Sequence, residues 1–216
     1  MNHEGRSGMS KKMWLLPTLG AMLLSLFSCA SDRNSKKAAL ELVTQCDSCH
    51  RIDSKISSIA PSLDGMPESY LVEQLENFRQ SRRGTDPTDA VTREMSQQAK
   101  ALNDEQVSLI GDYYSGRPRQ HSNEPVTGDL ENGKQLYKEQ CEGCHSSMLG
   151  RYFTKSPRIT HLRGPYLLAQ LNQFSKGSRL VMADSKHKEK MVAVAKKLSD
   201  REQSNIVAFM KEHYTD

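Results

Sequence analysis

Cys46-Asp47-Ser48-Cys49-His50 returns 95 residues further along the chain as Cys141-Glu142-Gly143-Cys144-His145. Sliding the sequence against itself by 95 to 96 residues aligns much more than these two motifs. Pro61 meets Pro157, Tyr70-Leu71-Val72-Glu73-Gln74-Leu75 meets Tyr166-Leu167-Leu168-Ala169-Gln170-Leu171, and Phe78 meets Phe174. Further on, Ala99-Lys100-Ala101-Leu102-Asn103-Asp104 meets Ala195-Lys196-Lys197-Leu198-Ser199-Asp200. A period this long marks a duplicated domain, because stacked repeat units recur every 20 to 50 residues or so. Between the copies, Arg117-Pro118-Arg119-Gln120-His121-Ser122-Asn123-Glu124-Pro125 has the proline and polar content of a linker. The expected organisation is one domain over residues 30–117, a linker over 118–127 and a second domain over 128–216.

Each copy reads as helices. Leu71, Leu75 and Phe78, like Leu167, Leu171 and Phe174, recur at i, i+4 and i+7 and so line one helical face. The closing helix of each copy opens on a capping box, Asn103 with Gln106 and Ser199 with Glu202, in which side chain and backbone satisfy each other's unpaired groups. Its inward stripe is Val107, Ile110 and Tyr114 in the first copy and Gln203, Ile206 and Met210 in the second. A shorter helix precedes each motif, with Ala38 and Leu42 matched to Gly133 and Tyr137. No alternating apolar run calls for a sheet, so the expected fold is all-α, two tandem domains related by internal duplication. With 36% apolar and 26% charged residues in 216, either half alone would bury only a marginal core, and a bound group is expected to complete it.

Four of the five cysteines lie in the two motifs. Cys-x-x-Cys-His is the haem-attachment pattern: Cys46 and Cys49, or Cys141 and Cys144, present two thiols on one helical turn to the two vinyl groups of one porphyrin. His50 or His145 then offers its imidazole as proximal iron ligand. A zinc site would have to gather two pairs 95 residues apart and would leave both histidines idle. A thioredoxin-like pair wants a strand and a βαβ context, and a Cys-x-x-Cys disulfide closes too small a loop to constrain much. Two covalently attached haems c are therefore expected.

The far side of each iron decides between a closed and an open site. In the first copy His50 is the only histidine outside the linker, which leaves Met66 and Met95. Met66 falls on Leu162 under the repeat, whereas Met95 falls on Met191, and both lie seven residues before the leucine that precedes the last helix. Met95 and Met191 are the expected sixth ligands, with His161 and His187 as outside candidates in the second copy. Met148, Met182 and Met210 are read as core fillers.

Arg6, Lys11 and Lys12 followed by the apolar run Met13 to Phe27 form a targeting segment over residues 1–28, too short to span a bilayer, which takes about 20 apolar residues. Leu26-Phe27-Ser28-Cys29 reads as a lipobox, with Cys29 the acylated residue of a lipoprotein; an uncleaved anchor or an ordinary signal peptide are the alternatives. The net charge is +4, unevenly spread: residues 30–117 hold 11 Lys and Arg against 14 Asp and Glu, residues 118–216 hold 16 against 11. The two ends should steer towards different partners. Dispersed basic residues without interleaved aromatics, on an exported chain, exclude a nucleic-acid partner.

In these motifs, in Pro61 with Leu63 and Gly65, in the Tyr70-Leu71 and Gln74-Leu75 helix start and in a methionine seven residues before Leu-Asn-Asp or Leu-Ser-Asp, the chain resembles the dihaem cytochrome c4 family over essentially its whole mature length. The resemblance implies two class I cytochrome c domains facing each other across a pseudo-twofold axis, with the carbonyls of Pro61 and Pro157 holding the proximal imidazoles. Three places depart from the family pattern: Arg51 and Ser146 follow the haem histidines where glycine is usual, and Arg163-Gly164-Pro165 stands in place of Ala-Gly-Gln.

With histidine and methionine on each iron, no ordinary substrate position remains, and reversible one-electron transfer at fairly positive potential follows. The expectation is a membrane-tethered periplasmic carrier, not an enzyme, that takes electrons from a quinol-oxidising complex or a dehydrogenase and gives them to a terminal oxidase. A dedicated subunit of one dehydrogenase or oxidase is the nearest alternative. A dihaem peroxidase or sulfur-compound dehydrogenase would require an open sixth position, and neither copy has a spare cysteine for sulfur chemistry.

Overall fold

A computed structural model of the protein describes residue 37 and residues 40–54, 60–122, 124–179 and 186–214. The targeting segment, Cys29, Ala38 and Met182 lie outside the described residues. From residue 39 onward the chain forms one compact unit. Among the described residues there is no strand, and no helix is long and apolar enough to cross a membrane.

The first half is built from α1 (residues 40–50), α2 (Glu68–Arg79), α3 (Ala90–Lys100) and α4 (Asp104–Ser115). Asp89 caps α3 by accepting from Thr92 N, and α4 opens on the expected box, with Asn103 and Gln106 each bonded to the other's backbone. Leu71, Leu75 and Phe78 of α2 are buried, as are Val107, Ile110 and Tyr114 of α4, and the two helices pack face to face. On α1 the core position is Val43, 1% exposed, while Leu42 is half-buried.

The second half runs through α5 (Leu130–Gln140), α6 (Glu142–His145), α7 (Met148–Thr154), α8 (Gly164–Lys176), α9 (Lys186–Lys197) and α10 (Asp200–His213). Asp129 caps α5, Ser147 caps α7, and Ser199 with Glu202 forms the second expected box on α10. The tightest crossing is α5 against α10. A methyl group on Gly133 would stand 2.0 Å from the carbonyl oxygen of Asn205, so only glycine lets the two backbones meet. Asn205 also accepts from Asp129 N and donates to Asn132, fixing the register. Around the crossing, Tyr137 stacks obliquely on Phe209 and Tyr214, at 5.7 and 5.6 Å between ring centres. Gln203, Ile206 and Met210 are buried as expected. Met148 is not the expected core filler: it is 76% exposed, because α7 lies on the surface.

The linker is tied to both halves. Arg117 closes an ion pair with the buried Asp64 at 2.7 Å, and Arg119 donates to Gly65 O at 2.8 Å. Beyond them Ser122 N donates to His161 O, and His121 Nδ1 lies 3.3 Å from Tyr214 O.

Candidate haem sites

Cys46, Cys49 and His50 occupy the last turns of α1; Cys141 closes α5, and Cys144 and His145 lie on the single turn of α6. All four thiols are free and partly buried. Burial pushes the Cys141 thiol up to about 12 and raises Cys46 as well. The two pairs are not gathered into one zinc site: among the described residues no group of three or more His, Cys, Asp or Glu is placed to hold a metal ion.

Both histidines are held in the same way. His50 Nδ1 lies 2.9 Å from Pro61 O, and His145 Nδ1 lies 2.8 Å from Pro157 O. A carbonyl only accepts, so Nδ1 carries the proton and the lone pair is on Nε2, the tautomer that binds a metal. Burial lowers the pKa of both rings, which keeps them neutral. Two thiols beside a neutral, oriented imidazole, twice over, fit a covalently attached haem and its proximal ligand.

A buried tyrosine ties each motif to the core, from a different helix in each half. Tyr114 of α4 donates to Asp47 Oδ1 at 2.7 Å, inside the first motif. Tyr137 of α5 shares a hydrogen bond with Ser146 Oγ, immediately after the second. The departures from the family pattern fall on such contacts. Ser146 is the partner of Tyr137, and Arg163, 1% exposed, reaches across to donate to Arg51 O at 2.9 Å and Ile52 O at 2.7 Å. The second half thus clasps the turn that follows His50, a role for which no motif or spacing offers a signal.

Among the candidate far-side ligands, Met66 is 4% exposed, and its counterpart Leu162 is 3% exposed in the equivalent core position, which makes the pair packing residues. Met95 on α3 and Met191 on α9 are both half-buried at the edge of the core. His187 is exposed on the first turn of α9. His161 is wholly buried, and neither ring nitrogen has a hydrogen-bond partner among the described residues.

Helical halves that each present two free thiols beside a carbonyl-held imidazole define a c-type haem protein. The chain belongs to the cytochrome c family, whose model matches it twice, over residues 37–114 and again over 130–213. It carries two covalently attached haems c, one at Cys46 and Cys49 and one at Cys141 and Cys144. It is similar to cytochrome c4 of Thiocapsa roseopersicina, with 26% identity over 77% of this chain and 85% of that one, and to cytochrome c4 of Pseudomonas aeruginosa, with 25% identity over 91% and 95%. Among solved structures, reduced cytochrome c4 from Pseudomonas stutzeri matches with a TM-score of 0.62 at 24% identity, over 81% of this chain and 96% of that one. Thiosulfate dehydrogenase TsdBA from Marichromatium purpuratum matches with the same TM-score at 26% identity, over 79% of this chain but only 36% of its own length. The chain is a dihaem electron-transfer cytochrome.

Proposed function

We propose that the chain is a membrane-tethered carrier on the periplasmic side, receiving electrons from a quinol-oxidising complex or a dehydrogenase and passing them to a terminal oxidase. It works as a carrier and not as an enzyme. The domains extend over residues 30–117 and 128–216, joined by 118–127, with Cys29 lipidated after removal of residues 1–28. His50 with Met95, and His145 with Met191, are the axial ligands. The observation that carries this reading is the matched pair of Nδ1 to proline-carbonyl contacts, 2.9 and 2.8 Å, which leaves one metal-binding nitrogen per half. When bound, each haem supplies a reversible one-electron couple, which thioether ligation biases towards the reduced form. The polypeptide orients the imidazoles, excludes water and closes the far side.

The second half also presents a surface suited to a partner. Met148, Leu149, Tyr152 and Phe153 on α7 are all exposed, and Gly150 seats α7 directly on the Gly143 carbonyl of the second motif. Lys155 lies over the Tyr152 ring at 5.3 Å, Arg151 and Arg158 are close in sequence, and no Asp or Glu occurs from Gly143 to Ala183. An acceptor with an apolar centre and an acidic rim fits this face.

The test is a reduced-minus-oxidised spectrum of the extracted protein together with the near-infrared methionine-to-iron band, in the natural chain and in Met95→Ala and Met191→Ala. Two haems per chain and a band weakened in each variant are expected. A high-spin haem in the unmutated protein, or a band indifferent to either substitution, overturns the ligand assignment. The partial match to the thiosulfate dehydrogenase favours a second reading, a dedicated subunit that serves one dehydrogenase, which co-purification at fixed stoichiometry would reveal.

A further inference from the structure

Arg163 is the largest fully buried side chain among the described residues, and it belongs to the second half while serving the first. Its Nη2 donates to Arg51 O at 2.9 Å and to Ile52 O at 2.7 Å, the first two peptide carbonyls after His50. Its Nη1 lies 3.7 Å from Glu124 Oε1 of the linker, beyond ordinary hydrogen-bond length. Carbonyl dipoles orient a cation without cancelling its charge. The same carboxylate also bears on the buried Lys211, so its influence is divided. The pair therefore turns its positive end to the haem turn of the first half and its negative end to the linker.

Nothing matches this in the other direction, because Arg163 falls on Pro67 under the repeat. The halves also differ in the charge around their motifs. Residues 30–117 hold more Asp and Glu than Lys and Arg, and Asp47 lies inside the first motif itself. Burial chiefly keeps the His50 ring neutral; of the side-chain charges felt there, Asp47 opposes that effect and Arg163 reinforces it. At His145, after burial, the side-chain charges are those of Arg151 and Arg179, both positive. A positive charge beside a haem favours the reduced, less positive state, and a negative charge favours the oxidised one. With its own residues alone, the first half would hold its electron less firmly than the second.

We propose that Arg163 is the buried charge by which the second half tunes the haem of the first, raising that haem's hold on an electron and narrowing the gap between the two couples. It is a positioning residue that acts through the turn after His50. A chain that passes electrons between its own two haems needs couples close enough to exchange in both directions. A wide step would trap the electron on the second haem. The inference rests on the dihaem identity and is independent of the donor, the acceptor and the lipid anchor.

The test uses the holoprotein and its Arg163→Gln, Arg163→Lys and Glu124→Gln variants. Each is followed by spectroelectrochemistry, with the paramagnetically shifted haem-methyl resonances assigning each step to its half. Arg163→Gln should move the oxidised-to-reduced ratio of the first haem at fixed poise about tenfold towards oxidised and leave the second within about twofold of its natural value. Arg163→Lys keeps the charge but loses the planar fork, and should restore most of that shift. Glu124→Gln removes the carboxylate and keeps the clasp, so it should move the first haem the other way, towards reduced. A residue that merely holds the turn gives another pattern: the lysine variant fails alongside the glutamine one, and Glu124→Gln changes nothing. That pattern overturns the proposal, as does an equal shift at both haems. Should Arg163→Gln fail to fold, Glu124→Gln decides alone, and an unmoved first haem there overturns the tuning. The count of two haems comes from the spectrum of the natural chain, so failure of the tuning is distinguishable from failure of the dihaem reading.

Discussion

The two halves share a repeat, yet they secure their haem motifs with different tools. In the first, a tyrosine from the closing helix α4 bonds into the motif at Asp47; in the second, a tyrosine from the opening helix α5 bonds just beyond it at Ser146. Under the repeat, Tyr114 faces Met210, and Tyr137 faces Leu42. Each half needs one hydroxyl at the motif, and either helix can bring it. The duplication has kept what the fixed geometry demands, namely the proline carbonyl on each imidazole and the box on each closing helix. Contacts that a neighbouring helix could supply have drifted.

The largest expected difference between the halves is in acid. His161 stands where the first half has Gly65. Burial, then the charges of Arg119, His121, Lys211 and Arg158, push its pKa down to about 3. The folded value is below the ordinary 6.5, so between pH 6.5 and 3 the unfolded chain binds the extra proton. The stability is full above pH 6.5 and is lost as the pH falls towards 3, by up to about 5 kcal/mol. His161→Phe should flatten the loss when unfolding is followed at the second haem and leave the first unchanged. Equal acid sensitivity in variant and natural chain would remove His161 from the account.

Next in size is the helix crossing. Gly133→Ala should destabilise the second half by about 3 kcal/mol, since the methyl has nowhere to go against Asn205. Its counterpart Ala38 already carries that methyl. Denaturant unfolding monitored at each haem should show the second transition moving and the first holding; movement of both would mean that the halves unfold as one.

Smaller still is the exchange of tethers. Tyr114→Phe should cost about 1–2 kcal/mol, because Asp47 loses a buried partner. Tyr137→Phe should cost less, because its partner Ser146 is a neutral hydroxyl whereas Asp47 is a carboxylate, and hydrogen bonds to charged groups are worth more. A larger loss from Tyr137→Phe would invert the comparison. Smallest are the caps: Asn103→Ala and Ser199→Ala should each cost about 1 kcal/mol, alike in both halves, in thermal unfolding.

The helices, their caps and both haem motifs were legible because each rests on short-range spacing, and the repeat let every position be checked against a second copy. Two kinds of feature were not. The role of Arg163 depends on two segments more than a hundred residues apart, with no counterpart in the other copy. Met148 was misread as core because methionine itself does not say which face of α7 is covered.

Each motif leads its half, and the contact that encloses it trails well behind: Asp47 waits 67 residues for Tyr114, and Gly133 waits until Asn205 has been made. A chain emerging end first, from a ribosome or through an export pore, therefore shows its paired thiols long before the closing helix can cover them. At about 5–20 residues per second that delay is several seconds. The order of the helices is thus also a schedule, giving the machinery that attaches haem an interval of access to one motif and then to the other.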